Sequence, residues 1–210
     1  SSQMWLITFA LLGAAIAALQ PSEPPSVEEL LARGQEAFRR GENAVALADF
    51  DRVVELAPEI EPQLWQRGIA QYYSGAFEAC VRQFELHRTV NPDDVENAVW
   101  YFLCMARKDG VEAARAALLP VGPDARVPMR QIYELFKGRM DTEAVLLAAR
   151  TEGPASRRSL WIFYADLYVG LYLEAVGDVE AARKHLDAAA KAGVGGYMGD
   201  VARVHATLRQ

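Results

Sequence analysis

The chain has 210 residues, of which 51% are apolar and 24% charged. That length fits one domain of ordinary size, with or without a short appendage, and the apolar fraction is ample for a packed core. The net charge is −6 and no block of Lys or Arg occurs, which argues against nucleic acid as a partner, because phosphate neutralisation needs a basic patch.

Residues 4–19, MWLITFALLGAAIAAL, form an uncharged run of 16, and the proline-rich stretch 21–26 breaks it. Two readings stand. One is a secretory or lumenal leader, whose apolar core is roughly 7–15 residues ending in small side chains, here Gly13 to Ala17. The other is a membrane helix. At 1.5 Å per residue, 16 residues cover about 24 Å, a little under the ~30 Å hydrocarbon core, so slight bilayer thinning or neighbouring subunits are needed. The preceding Ser1, Ser2 and Gln3 lack a basic n-region, which favours the anchor and implies upstream processing. The expected organisation is an apolar helix over 1–20, a linker over 21–26 and a helical domain over 27–210.

Ser26 is a candidate N-cap, with Glu28 and Glu29 favouring the start of a helix. The pattern predicts helices over 27–40 and 43–57, then over 61–75 and 76–90. Four marks of the first pair, Gly34, Gly41, Phe50 and Pro58, return 34 residues later as Gly68, Gly75, Phe84 and Pro92, with Arg33 and Arg67 beside the first glycine of each set. Glycine inside a helix costs roughly 1 kcal/mol against alanine, so its recurrence implies close approach of a partner helix that a Cβ would block. Gly41 and Gly75 fall where a helix must stop and turn. Phe50 and Phe84 are expected to bury against the first helix, and the prolines to stop the second. One such hairpin cannot bury its apolar face alone; stacked neighbours can.

Asp93 and Asp94 open a third pair over 95–107 and 111–119, with the period slipped by about one residue and Pro120 ending it. A turn-rich break at 122–128 precedes a shorter pair over 129–137 and 142–150. The seven-residue glycine spacing returns at Gly170 and Gly177, followed by Ala182 and Leu186, and 197–208 reads as a capping helix. The repeats fall near 27–58, 61–92, 95–122, 127–151 and 158–193. No useful strand period occurs. The expectation is all-α.

A period of 34 with small, turn, aromatic and proline positions repeated resembles the tetratricopeptide signature. RGIAQYY (67–73) and YVGLYLEAVGDVEAARKHLDAAAKAGV (168–194) look like the NlpI-like bacterial envelope lipoproteins. VWYFLCMAR (99–107), GVEAAR (110–115) and VPMRQIYELF (127–136) resemble organellar tetratricopeptide proteins of plants and algae. The resemblance covers roughly 62–208 and implies a helical-hairpin solenoid acting as a non-enzymatic adaptor or assembly factor on a membrane surface. No lipobox cysteine follows the apolar run, so lipid anchoring is not supported.

No catalytic constellation is legible. His87, His185 and His205 sit in no metal-ligand spacing and read as structural or surface histidines. Ser156 and Ser159 lack an elbow motif. The glycines at 193, 195 and 196 have neither a preceding strand nor a Walker lysine. Cys80 and Cys104, the only cysteines, are expected as two buried thiols, with a structural disulfide as the alternative. No cofactor or metal is expected.

What remains is recognition. The resemblance implies a concave groove lined by the first helix of each hairpin. Its positions are Leu31, Gln35, Phe38 and Arg39, then Trp65, Ile69, Tyr72 and Tyr73, then Val99, Leu103 and Arg107. Such a groove is apolar and aromatic, suited to an amphipathic helix or an extended segment, and lacks the Lys/Asn/Arg clamp that chaperone-binding relatives use. Two alternatives stand beside it: terminal helices that fold back and fill the groove, or a contact surface at Trp161, Phe163, Tyr164, Tyr168 and Tyr172. The expected function is a protein-interaction scaffold, a membrane-tethered accessory or assembly subunit of a larger photosynthetic or respiratory complex, held through residues 4–19. Its expected location is a thylakoid or other plastid membrane, with the bacterial periplasm or another organelle membrane as options. The alternative function is a soluble periplasmic or lumenal adaptor presenting clients to proteases or assembly machinery.

Overall fold

A computed structural model describes residues 22–209, and the expected apolar helix over 4–19 lies outside the described residues. The all-α expectation holds: among the described residues every regular element is helical. No helix among them is long and apolar enough to cross a membrane.

The helices pack in chain order as antiparallel neighbours. α1 (Val27–Arg39) packs on α2 (Asn43–Leu56), α2 on α3 (Trp65–Tyr73), α3 on α4 (Phe77–Arg88), and α4 on α5 (Val95–Asp109). The short α6 (Val111–Ala116) and α7 (Met129–Phe136) both lean on α5. α8 (Thr142–Thr151), α9 (Arg158–Ala175), α10 (Val179–Lys191) and α11 (Gly196–Leu208) continue the stack. Two contacts bend it back on itself: α9 touches α5, and α11 touches α1.

Local chemistry sets the helix starts. Ser26 and Glu29 form a reciprocal capping box on α1. Asp94, Asp141 and Asp178 accept from first-turn amides of α5, α8 and α10, each satisfying an otherwise orphaned N–H.

The first two hairpins repeat one packing unit. A Cβ at Gly34 would lie 2.8 Å from Cε1 of Phe50, and one at Gly68 would lie 2.7 Å from Cε2 and Cζ of Phe84. Each aromatic ring occupies the space a side chain would need. Gly170 meets Leu186 in the same way, at 2.6 Å from Cγ. Gly41, Gly75 and Gly177 turn the chain at φ of 77°, 77° and 94°, in the left-handed region where only glycine is free of strain. The arginine before each buried glycine crosses the same distance. Arg33 donates to both oxygens of Asp49 at 2.9 and 2.7 Å, and Arg67 donates to Gln83 at 3.0 Å. Asp49 and Gln83 are themselves 34 residues apart.

Gly68→Ala is therefore expected to lower stability by about 1–2 kcal/mol. With ring carbons 2.7 Å from the added Cβ the upper part of the usual overpacking cost of about 1–3 kcal/mol applies, against about 1 kcal/mol of helix propensity gained. Urea midpoints check it, and Phe84→Leu in the same chain should remove most of the difference between the two residues at 68. A neutral or stabilising Gly68→Ala would contradict the close-approach reading.

Three expectations are corrected. The helix expected over 61–75 is a 3-10 helix, Pro58–Gln63, followed by α3. Pro62 disfavours the α region at the residue before it, so the α-helix does not begin at Glu61 but at Trp65. Pro58 thus opens a tight turn after α2 has already ended at Leu56, whereas Pro92 lies in the linker beyond α4. The helix expected over 111–119 stops at Ala116, ahead of Pro120. The slipped period has a visible cause, because the chain turns at Gly110 (φ 95°), one residue later than position 109 where the period would put it. Finally, Cys80 and Cys104 are not two separate thiols. They form a disulfide between α4 and α5, with Cα atoms 5.9 Å apart, inside the spacing that bridged cysteines adopt.

Candidate functional site

The face lined by the expected groove residues is largely filled from within. α11 supplies Tyr197, whose ring stacks on Phe38 at 5.2 Å and meets the Trp65 ring edge-on at 5.0 Å. It also supplies His205, which is fully buried. His205 Nε2 lies 3.0 Å from Glu174 on α9, and Nδ1 lies 2.7 Å from the hydroxyl of Tyr73 on α3. A carboxylate can only accept, so Nε2–H donates to Glu174; in the neutral ring Nδ1 then accepts from Tyr73. One side chain thus ties three helices. Burial pushes the Glu174 carboxyl up, but hydrogen bonds from His205 and Arg209 outweigh it and bring it down to about 2.

This placement corrects the groove expectation. Phe38, Ile69, Tyr72 and Leu103 are buried, and so is Val99, because α9 and α11 occupy the face those side chains line. Tyr73 is committed to His205. Trp65 is half-buried, and Arg39 is exposed beside Glu36 on its own helix. The Arg107 guanidinium sits 4.8 Å above the Phe77 ring. The alternative surface at 161–172 is also mostly interior: Trp161, Phe163 and Tyr168 are buried, with Tyr164 and Tyr172 partly so. His87 is buried as well, its Nδ1 2.9 Å from the carbonyl of Pro62.

An opening remains between α3, α4, α5 and α11. It has a volume of about 190 Å³ and is walled by Trp65 and Ile69, Phe84, Trp100 and Met198, with His87, Asp94, Glu96 and Asn97 supplying its polar lining. A single water needs ~10–15 Å³ in the same measure, so a side chain has room to enter. Beside this lining the loop before α7 places Arg126, whose guanidinium lies 2.9 Å from Asp94, 2.6 Å from Glu96 and 2.7 Å from Asp124. Glu96 also accepts from the Tyr168 hydroxyl, which in turn accepts from Trp100 Nε1 at 3.4 Å.

Three carboxylates therefore share one guanidinium. Burial holds the Glu96 carboxyl above its usual range, with Asp94 adding to the effect and Arg126 only partly opposing it. At Asp124 burial also acts upward, but hydrogen bonds from Arg126 and the Val95 amide carry the carboxyl below its usual range.

Sequence reasoning missed this site. Asp94 reads as a helix-start charge and nothing more, and Arg126 lies in a stretch that reads only as a break. A signal was present at Glu96. It stands one helical turn before Trp100 and two before Leu103, so it is a charge on a stripe that otherwise faces inward.

Among the described residues no group of three or more His, Cys, Asp or Glu side chains is placed to hold a metal ion. No protein-family model matches the chain, and no curated protein matches it either. What the site offers chemically is a set of hydrogen-bonding side chains, mostly acceptors, between aromatic walls.

Proposed function

We propose that this chain is a tetratricopeptide-type repeat protein that acts as a non-enzymatic protein-binding scaffold. It is tethered to a membrane through residues 4–19 and docked on a larger membrane protein complex. The observation that carries the reading is the repeated unit of the first two hairpins. Arg33, Gly34 and Phe50 are spaced as Arg67, Gly68 and Phe84 are, 34 residues on, with the ring of each aromatic filling the space over its glycine. A sequence that conserves its hairpin packing across repeats is built to stack, and stacked hairpins present extended surfaces for other proteins. The tether is supported by the uncharged run at 4–19 and the proline-rich linker behind it. The sequence blocks at 99–107, 110–115 and 127–136 favour a plastid membrane, the thylakoid first.

The test is recovery of the tagged full chain from gently solubilised native membranes, followed by native sizing. The expected result is co-migration with an assembly several times its own mass of 23.2 kDa. Recovery only as a free monomer that washes from the membrane would overturn the proposal.

A further inference from the structure

We propose that the opening between α3, α5 and α11 is a receptor for one arginine side chain presented by a protein partner. This rests on the scaffold reading and names what the scaffold grips.

Three independent observations point to a cation rich in hydrogen-bond donors. The first is charge. Asp94, Glu96 and Asp124 surround the single Arg126 guanidinium, which leaves the cluster two negative charges in excess when all are ionised. Asp94 keeps 23% of its side chain exposed, so the excess is reachable from solvent. The second is an unanswered acceptor. Asn97 is only 4% exposed and lines the opening. Its Nδ2 donates to the Phe84 carbonyl at 3.3 Å, which fixes the amide's orientation, and its Oδ1 has no hydrogen-bond partner. A buried acceptor left without a donor costs about 1–3 kcal/mol. The third is the wall. Trp65 and Trp100 present aromatic rings beside the carboxylates, and a guanidinium gains from an aromatic face as well as from carboxylates.

The lining offers little to an anion. The Trp100 indole N–H is committed to Tyr168, and His87 Nδ1 faces the Pro62 carbonyl. Residues 1–21 carry no Lys or Arg, so that stretch of this chain has no side chain of the required charge. Guanidinium is favoured over ammonium because its planar fork can reach Asn97 and a carboxylate at once while lying against an indole.

The test titrates the full chain with acetyl-Gly-Arg-Gly-amide and with the same peptide carrying citrulline, a neutral isostere. Binding is read on the indole N–H signals of Trp65 and Trp100. The arginine peptide is expected to bind at least about ten-fold more tightly, a difference of about 1.4 kcal/mol, and to weaken as salt is raised. Met198→Lys places a tethered ammonium in the lining of the same opening. That variant is expected to lose arginine-peptide binding by about ten-fold or more while keeping the wild-type thermal midpoint. Equal binding of the two peptides, no binding of the arginine peptide, or unchanged binding in Met198→Lys would each overturn the proposal.

Failure here and failure of the scaffold reading are separable. If the membrane assembly is recovered equally with wild type and Met198→Lys, the scaffold stands and the arginine receptor falls. If wild type recovers no assembly, the peptide pair still decides the pocket.

Discussion

His205→Ala is expected to lower stability by about 3–4 kcal/mol and to free α11 from the concave face. The substitution removes a fully buried ring, strands the Tyr73 hydroxyl and takes one of two partners from Glu174, which keeps Arg209 at 3.1 Å. A buried polar group left unpaired costs about 1–3 kcal/mol, and the cavity adds to that. For a domain of this size about 1 kcal/mol corresponds to 2–4 °C, so the thermal midpoint should fall by roughly 6–16 °C. Trp65, released from Tyr197, should report the change as red-shifted emission.

The same contact has a pH signature. The Glu174 carboxyl titrates near 2 in the folded chain against 4.5 as its ordinary value. A depressed carboxyl contributes stability above its unfolded value, and that contribution drains as pH falls toward its folded value. Wild type should thus lose stability between about pH 4.5 and 2, and Glu174→Gln should start lower and flatten that limb. An unchanged midpoint in His205→Ala would mean that α11 is held by apolar contacts alone.

Removing the disulfide comes next in size. Cys80 and Cys104 are 24 residues apart, and closing a loop of that length restricts the unfolded chain by about 3.5 kcal/mol. Both sulfur-bearing residues are buried, so their loss also leaves space in the core. Cys80→Ala with Cys104→Ala is expected to cost about 3–4 kcal/mol in urea unfolding. Incubation with a reductant strong enough to open the bond should move wild type toward the double variant. A wild-type midpoint indifferent to reductant, equal to that of the double variant, would mean the thiols are unpaired in solution.

The parts of the fold readable in the sequence are those where a local requirement leaves a local mark. Gly34 and Gly68 are legible because a ring must pass over them, and Gly41 and Gly75 because the chain turns there with positive φ. Ser26 and Asp94 are legible because a helix needs its first amides satisfied. The groove face stayed open between a partner and the chain's own terminal helices because its occupant is remote. Nothing near Phe38 indicates that Tyr197 will stack on it from the other end of the chain, and an aromatic stripe at helical spacing reads the same whether a partner or the chain's own last helix covers it. The acid cluster was missed for a related reason. Arg126, Glu96 and Tyr168 come from three separate stretches, and only folding brings them together. The disulfide was misjudged because spacing alone does not decide whether two cysteines on neighbouring helices face one another.

The central claim is that the groove is filled from within by α9 and α11, so that recognition passes through the opening beside Trp65 and Glu96. Amide hydrogen exchange on the wild-type chain tests it most directly. The prediction is that the amides of α11 exchange as slowly as those of α3 and α5, as members of one cooperative unit. Fast exchange across α11, with α3 and α5 still protected, would show the concave face open in solution and would contradict it.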